Sequence, residues 1–238
     1  MELTFLGSGN AFVSGRYWSS LLVNNRYLFD PSPIALPHLK RLAKPADGLD
    51  VIFISHFHAD HWFGLPFLLL EYAHHGRAGR PLTIVGPSGV EARVRAVTEA
   101  GFPHVFRDIG FELRWVEASD GLEGEAAGLT FRSIEVEHAE GLACFGYRAQ
   151  FDGQTLAFSG DTVMCDALLP LAAGADVFVV ECSCWGGACG PHLAPPDIRE
   201  LRRQIAPATR FVVTHLDAGP SPFGPDVLVA EDLMTITL

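Results

Sequence analysis

The chain lacks any apolar run long enough to cross a lipid bilayer. Its longest apolar stretches, such as Leu65 to Leu70, are short, whereas a spanning helix needs about 20 residues. The opening segment, Met1 to Gly7, also lacks the basic residues that begin a signal peptide. We therefore expect a cytoplasmic protein that does not act at a membrane.

Basic residues are scarce. The sequence has 17 Lys and Arg against 28 Asp and Glu, a net charge of −11. Because Lys and Arg drive binding to nucleic-acid phosphates, this balance argues against a general affinity for nucleic acid. Bound metal ions reverse the charge of a site locally. We therefore expect a small anionic or ester substrate held in a cationic pocket.

Cysteine is also rare and irregularly spaced. The segment Cys182-x-Cys184-x4-Cys189-x2-His192 lacks the second regular pair of a zinc ribbon. Cys182 follows the apolar run Val177 to Val180. We interpret it as a small buried residue of the core.

What the sequence does contain is a globular composition, with 48% hydrophobic and 19% charged residues. Strand-like apolar runs lie at Leu3–Leu6, Ser19–Val23, Tyr27–Phe29, Val51–Ile54, Leu82–Val85, Glu112–Val116, Leu129–Val136, Phe145–Phe151, Thr155–Phe158, Val177–Val180, Phe211–Thr214, Val227–Val229 and Met234–Leu238. Helical patterns lie at Ile34–Leu42, Phe63–His75, Gly89–Ala100 and Asp197–Ile205. This order predicts an α+β fold, with sheets covered by helices on their outer faces, in one domain over residues 1–238.

Turn residues mark several boundaries. Asn24-Asn25 and Asp152-Gly153 sit between paired runs and predict hairpin turns. Ser88 is a candidate N-cap for the third helix. The segments Asp120–Gly128 and Ala218–Pro225 are interpreted as loops that set selectivity.

The segment Ser55 to His61 carries the densest chemistry. It places His56, His58, Asp60 and His61 directly after the buried strand predicted at Val51–Ile54. Imidazole and carboxylate are ligands that Zn²⁺ accepts. Four adjacent ligands would crowd one tetrahedral ion, so the alternation predicts two metals, with His56 and His58 facing one ion and Asp60 and His61 the other.

Three further positions place a metal-competent residue at the end of an apolar strand: His138, Asp161 and His215. The two oxygens of one aspartate can bridge two cations about 3.5–4 Å apart. His38, His74, His75 and His104 lie outside this pattern, and we interpret them as surface or loop residues.

In order, His56-x-His58-x-Asp60-His61, His138, Asp161 and His215 resemble the binuclear metallo-β-lactamase superfamily. The resemblance also includes Phe5-Leu6-Gly7-Ser8-Gly9 and Phe29-Asp30. It implies a four-layer αββα sandwich. It further implies that His56, His58 and His138 hold a first zinc, that Asp60, His61 and His215 hold a second, and that Asp161 bridges them. Mn or Fe are the alternative metals. Asp30 is expected to orient a ligand histidine or its loop.

A narrower resemblance is to the ribonuclease Z and cyclic phosphodiesterase branch. It rests on Asp60 to Leu65, on Gly86 to Gly89 and on Ser159 to Thr162. In that branch a histidine before the last metal ligand donates a proton, and His192 is the matching residue. The basic arm with which ribonuclease Z grips transfer RNA has no counterpart in this sequence. Transfer RNA is therefore not expected as a partner.

We expect a binuclear zinc hydrolase that cleaves a phosphodiester with a metal-bridging hydroxide, with Asp60 and His192 as catalytic residues and His192 as the proton donor. Hydrolysis of a carboxylic ester, lactone or thioester at the same site is the alternative. Oxygen or redox chemistry on iron, and a metal-binding protein without catalysis, are further alternatives. The sequence leaves the oligomeric state open, with a homodimer as the candidate assembly.

Overall fold

In the computed structural model, the described residues are 1–12, 15–77, 79–107, 109–186 and 190–238. Cys189, which belongs to the cysteine cluster, lies outside them. The strands are β1 (Glu2–Gly7), β2 (Ser20–Val23), β3 (Tyr27–Phe29), β4 (Val51–Phe53), β5 (Leu82–Gly86), β6 (Leu113–Glu117), β7 (Glu123–Ala126), β8 (Leu129–Val136), β9 (Cys144–Phe151), β10 (Gln154–Phe158), β11 (Val177–Glu181), β12 (Arg210–Thr214), β13 (Leu228–Val229) and β14 (Thr235–Thr237). The helices are α1 (Ala35–Arg41), α2 (Ala59–Trp62), α3 (Leu65–His75), α4 (Val90–Gly101), α5 (Leu168–Ala172) and α6 (Pro195–Gln204).

The strands form two sheets of the same design. The first has the order β14-β1-β2-β3-β4-β5-β6 and the second the order β13-β12-β11-β10-β9-β8-β7. In the first sheet β14, β1, β2 and β3 pair antiparallel and β3 to β6 pair parallel. In the second, β7 to β10 pair antiparallel and β10 to β13 parallel.

Three apolar layers hold these sheets and helices together. One lies between the sheets and includes Phe29, Phe53 and Tyr147. A second packs α1, α3 and α4 on the outer face of the first sheet, and a third packs α5 and α6 on the second sheet. Strands such as β4 are buried on both faces, which explains their unbroken apolar sequence. The predicted αββα sandwich is confirmed.

Most predicted elements are confirmed within one or two residues. At both predicted hairpins the two central residues have positive φ, 50° and 56° at Asn24 and Asn25, and 52° and 78° at Asp152 and Gly153. A type I′ turn requires that conformation.

Several local predictions are wrong. Ser88 does not cap α4, because its hydroxyl donates instead to Glu117. The N-cap residue of α4 is Gly89, whose backbone is left-handed. His38 is buried, with Nδ1 2.6 Å from the carbonyl oxygen of Leu6. The predicted loop Asp120–Gly128 contains strand β7. Neither α2 nor α5 was expected as a separate helix, since four or five residues carry little periodicity. In the described part of the chain, no helix combines the length and apolar character needed to cross a membrane.

Candidate metal centre

All seven predicted metal ligands converge at the ends of four strands. His56, His58, Asp60 and His61 follow β4, with Asp60 and His61 in the first turn of α2. His138 follows β8, Asp161 follows β10 and His215 follows β12. The two sheets thus contribute to one site, and its ligand atoms fall into sets that could each hold a cation: His56, His58, His138 and Asp161; Asp60, His61 and His215; and Asp161, His192 and His215.

The second set is the more compact. His61 Nε2 lies 3.3 Å from Asp60 Oδ2 and 3.2 Å from Asp161 Oδ2. His215 Nε2 lies 3.6 Å from Asp60 Oδ2 and 3.4 Å from Asp161 Oδ2. Tetrahedral zinc with bonds of about 2.0–2.1 Å separates its ligand atoms by about 3.4 Å. These distances fit one ion at the centre of the four side chains.

The first set is slightly wider. His58 Nδ1 lies 3.2 Å from His138 Nε2, while His56 Nε2 and His138 Nε2 each lie 3.9 Å from Asp161 Oδ2. Asp161 Oδ2 is therefore near the histidines of both sets, which is the position that a bridging carboxylate requires.

Three buried atoms support a metal at this site. Nε2 of His56, His61 and His215 is in each case buried without a hydrogen-bond partner. A buried polar atom left unpaired costs about 1–3 kcal/mol, so three such atoms in one cluster would destabilise the fold. Bonds to a cation would satisfy all three, and the donor set of imidazoles and carboxylates suits a borderline divalent metal.

Electrostatics in the cluster favour the metal-binding protonation states of His56 and Asp161 but not of His61. Burial lowers the pKa of His56 well below its ordinary range, which keeps this imidazole neutral. Burial opposes the ionisation of Asp161, but the nearby His215 and His61 outweigh it and hold the pKa of Asp161 well below its usual range. A neutral imidazole and an ionised carboxylate are the forms that bind metal. Burial opposes protonation of His61, but the charges of Asp161, Asp60 and Asp30 outweigh it and raise the pKa of His61, so this ring would release a proton on binding a metal.

Asp30 and Ser55 support the first-sheet ligands. Asp30 Oδ2 is 2.8 Å from His61 Nδ1, and the backbone N–H and hydroxyl of Ser55 donate to Asp30 at 2.7 and 2.8 Å. Ser55 Oγ is also 3.0 Å from His56 Nδ1. Each hydrogen bond fixes Nδ1 and leaves Nε2 for the metal. The expectation that Asp30 orients a ligand histidine agrees with this geometry. Its backbone is left-handed, with φ 51°.

Glu181 and Ser183 support the second-sheet side. Ser183 Oγ is 2.7 Å from Nδ1 of His215, whose own backbone is left-handed at φ 54°. Glu181 Oε2 accepts from the backbone N–H of Ser183 at 3.0 Å, and Glu181 Oε1 accepts from the N–H of Thr162 at 3.1 Å. The same Oε1 lies 2.7 Å from His192 Nδ1.

His192 packs against the candidate ligand histidines and is hydrogen-bonded to a carboxylate, Glu181. Its ring centroid is 4.8 Å from that of His138 and 5.4 Å from that of His215. Burial lowers the pKa of His192, but the hydrogen bond and charge of Glu181 outweigh it, so the pKa is raised. An imidazole held by Nδ1 and protonated at a higher pH than usual is suited to donate a proton from Nε2.

A cavity of about 490 Å³ opens onto this cluster. It is lined by Asn10, Ala11, Phe12, His58, Ala59, Asp60, Asp161, Ser183, His192, His215 and Asp217. Sequence reasoning did not identify Ser55, Glu181 or Ser183 as part of the site. A signal existed, because Ser55 and Glu181-Cys182-Ser183 end apolar strand runs just as the ligands do.

The arginines of α6 do not face this cavity. Arg202 donates to carbonyl oxygens at the end of its helix, Arg203 pairs with Glu200, and Arg199 donates to the carbonyl of Pro222. These contacts all lie on or beside α6, as those of an ordinary helix surface do.

Comparisons with known proteins agree with the fold. A family model described as the beta-lactamase superfamily domain matches residues 25–216. Ribonuclease Z of Methanosarcina mazei is 26% identical, with 99% of this chain and 97% of that protein covered. Ribonuclease Z of Lacticaseibacillus casei is 30% identical, with 88% of this chain and 78% of that protein covered. The crystal structure of human tRNase Z, short form, superimposes with a TM-score of 0.81 at 22% identity, covering 100% of this chain and 99% of that one.

These relatives overturn one prediction. Transfer RNA was not expected as a partner, yet the relatives that match along most of the chain are ribonucleases Z, and the human structure is a tRNase Z. The expectation relied on the net charge of the whole chain and on a missing basic arm. Neither quantity describes the site itself, where a bound cation would set the local charge. With the family match over most of its length, the chain belongs to the beta-lactamase superfamily and is a metal-dependent hydrolase.

Proposed function

We propose that the chain is a phosphodiesterase that works with two divalent metal ions, zinc being the first candidate, and that its substrate is an RNA or another nucleoside phosphodiester. The first ion would be held by His56, His58 and His138, the second by Asp60, His61 and His215, with Asp161 between them. The support is the pair of ligand sets described above and the three buried Nε2 atoms without a hydrogen-bond partner, which bonds to a cation would satisfy.

The observation that carries the phosphodiesterase proposal is the hydrogen bond between Glu181 and His192 beside these ligands. A phosphodiester is cleaved with an alkoxide leaving group, which needs a proton in the transition state. Metal ions at the site would supply Lewis acidity and a water of lowered pKa. His192 is held at Nδ1 by Glu181 at 2.7 Å and faces the same cavity, so Nε2 can deliver the proton to the departing oxygen.

The other residues have positioning roles in this proposal. Asp60 Oδ2 lies within 3.6 Å of the Nε2 atoms of both His61 and His215, so it completes the second ligand set and can accept a hydrogen bond from the attacking water. Asp30 and Ser183 hold the ligand rings from behind. The ribonuclease Z relatives make precursor transfer RNA the first macromolecular substrate to test.

The test compares two diesters with the zinc-loaded protein. An activated diester, bis(p-nitrophenyl) phosphate, needs little acid help, whereas a dinucleoside monophosphate needs much. We expect His192→Ala to reduce turnover of the dinucleotide by about 10²–10⁴-fold and that of the activated diester far less, because general acid catalysis contributes about that much. Cleavage of a precursor transfer RNA bearing a 3′ trailer is followed in parallel.

His75→Ala is the matched control, since the side chain of His75 is 72% exposed on α3 and away from the site. Zinc content of each protein is measured by elemental analysis, so that a lost metal is not mistaken for a lost acid. Equal losses on both diesters would contradict the acid role of His192. Absence of turnover on every diester by fully metallated wild-type protein would contradict the phosphodiesterase proposal.

A further inference from the structure

Phe12 stands at the rim of the cavity that contains the metal centre. Its relative exposure is 97%, the largest among the exposed large apolar residues of the described chain. Single exposed apolar residues are common on protein surfaces. This one lines the same cavity as Asp60 and His192, which places a bare aromatic ring within reach of whatever occupies the site.

The backbone that carries Phe12 is tied to the metal centre. The N–H of Asn10 donates to the carbonyl of Leu216, which directly follows the last candidate ligand, at 3.0 Å. The N–H of Phe12 donates to Asn10 Oδ1 at 3.0 Å, and Trp18 Nε1 donates to the carbonyl of Ala11 at 3.2 Å. Three hydrogen bonds therefore hold the backbone of residues 10–12 beside the metal centre.

Charge at the rim points to the same kind of contact. Among the described residues that line the cavity there is no Lys or Arg, and the rim carries Asn10 and Asp217 instead. The negative charge of a phosphodiester would be met at the metal centre and not at the rim. Affinity for the rest of the substrate must then come from apolar contact and hydrogen bonds, which an aromatic ring and an amide supply.

We propose that Phe12 stacks on the nucleobase next to the scissile phosphate and so selects nucleoside phosphodiesters over simple alkyl ones. This inference rests on the proposed function, because it places the phosphate at the metal centre. Every base offers a flat π face, and stacking on an aromatic side chain tolerates all four. The selection therefore acts on the presence of a base and only weakly on its identity.

The test measures binding, independently of turnover. Calorimetry on the zinc-loaded protein compares thymidine 5′-monophosphate with inorganic phosphate for the wild type, Phe12→Ala and Phe12→Trp. Phe12→Ala is expected to weaken nucleotide binding by about 5- to 150-fold, the equivalent of about 1–3 kcal/mol per stacked base. Binding of phosphate to Phe12→Ala should be unchanged. Phe12→Trp should keep the nucleotide affinity of the wild type, because its indole ring can also stack.

Phe67→Ala is the control, since Phe67 is 48% exposed on α3 and does not line the cavity. A wild type that binds the nucleotide no better than phosphate would overturn the inference. An unchanged nucleotide affinity in Phe12→Ala, or an equal loss for both ligands, would overturn it too. Because Phe12 is exposed, the Ala variant is expected to fold.

A kinetic arm separates this inference from the proposed function. Thymidine 5′-(p-nitrophenyl phosphate) and methyl p-nitrophenyl phosphate share a leaving group and differ in the nucleoside. Phe12→Ala should reduce kcat/KM for the first and not for the second. If the wild type hydrolyses neither, the phosphodiesterase proposal fails, while the binding comparison still decides the role of Phe12.

Discussion

The two sheets support the metal centre with matching pairs of residues that differ in what they hold. Ser55 lies two residues beyond β4 and Ser183 two residues beyond β11, and each hydroxyl contacts Nδ1 of a candidate ligand histidine. Behind each serine stands a buried carboxylate, Asp30 in the first sheet and Glu181 in the second.

The two carboxylates differ in the contacts that their oxygens make besides those to the serines. Asp30 contacts Ser55 and also His61, a candidate metal ligand. One oxygen of Glu181 goes instead to His192, which stands beside the ligands at the cavity. Among the described histidines, the first-sheet support thus contacts candidate metal ligands only, whereas the second-sheet support also holds His192, the proton donor of the proposed function. In the proposed function both supports therefore retain metal, and only the second-sheet support also holds the proton donor.

The largest effect is expected from Asp161→Ala, because Asp161 contacts candidate ligands of both sheets. Asp161 Oδ2 lies within 3.9 Å of the Nε2 atoms of His56, His61, His138 and His215. Loss of an outer contact to a ligand costs about 10–100-fold in metal affinity, so loss of the shared carboxylate should cost more. Equilibrium dialysis against zinc measures it. The control Asp166→Ala, at an exposed loop position, should bind zinc normally. If Asp161→Ala retained both ions, Asp161 would not be a shared ligand.

The next largest effects are expected from Asp30→Asn and Glu181→Gln, each of which alters one of the two supports. Asp30→Asn should lower zinc affinity by about 10–100-fold, because it weakens the contact that orients His61. Glu181→Gln should leave zinc affinity nearer the wild-type value and reduce turnover of unactivated diesters, because His192 loses the charge that raises its pKa. Zinc titration and kinetics on one preparation of each variant give both quantities. Equal zinc losses in the two variants would mean that the supports are equivalent.

The smallest effect is expected from Ser55→Ala and Ser183→Ala, which remove the matching hydroxyls. Each deletes one contact to Nδ1, worth about 1 kcal/mol. Ser183→Ala should be the more damaging, since its contact is 2.7 Å long against 3.0 Å at Ser55. Zinc affinity and thermal unfolding of both variants are compared with Ser119→Ala, an exposed position. The reverse order of damage would argue against a tighter second-sheet support.

Sequence could predict the strands and the seven ligand candidates because their signals are local. A strand-like run followed within two residues by His or Asp identifies both the strand and the residue near its end, as at His138 and His215. The four candidates after β4 lie within six consecutive positions, so their proximity could be predicted without knowledge of the fold.

The roles of Ser55, Glu181 and Ser183 could not be predicted in the same way, and those of Asp30 and His192 are expected only from the resemblance to the family. Asp30 and Ser55 are separated by 25 residues and His192 and Glu181 by 11, and only the packing of neighbouring strands brings them together. A lone serine or glutamate at a strand end has many roles, so its residue type alone does not select one. His38 was misread for the same reason, because a polar residue in an amphipathic helix gives no sign of a buried carbonyl partner.

The left-handed backbone at Asp30 and His215 has a consequence for mutational scanning. Non-glycine residues rarely adopt positive φ, and Asn, Asp and Gly tolerate it best while β-branched residues are strongly disfavoured. A saturation library at position 30 should therefore separate two requirements in a single experiment. Variants that pass a folding screen should be rich in Asn and Gly, whereas those that pass a zinc-retention screen should return to Asp. At position 215 the second screen should admit almost nothing but His, and codons for Val, Ile and Thr should disappear from both.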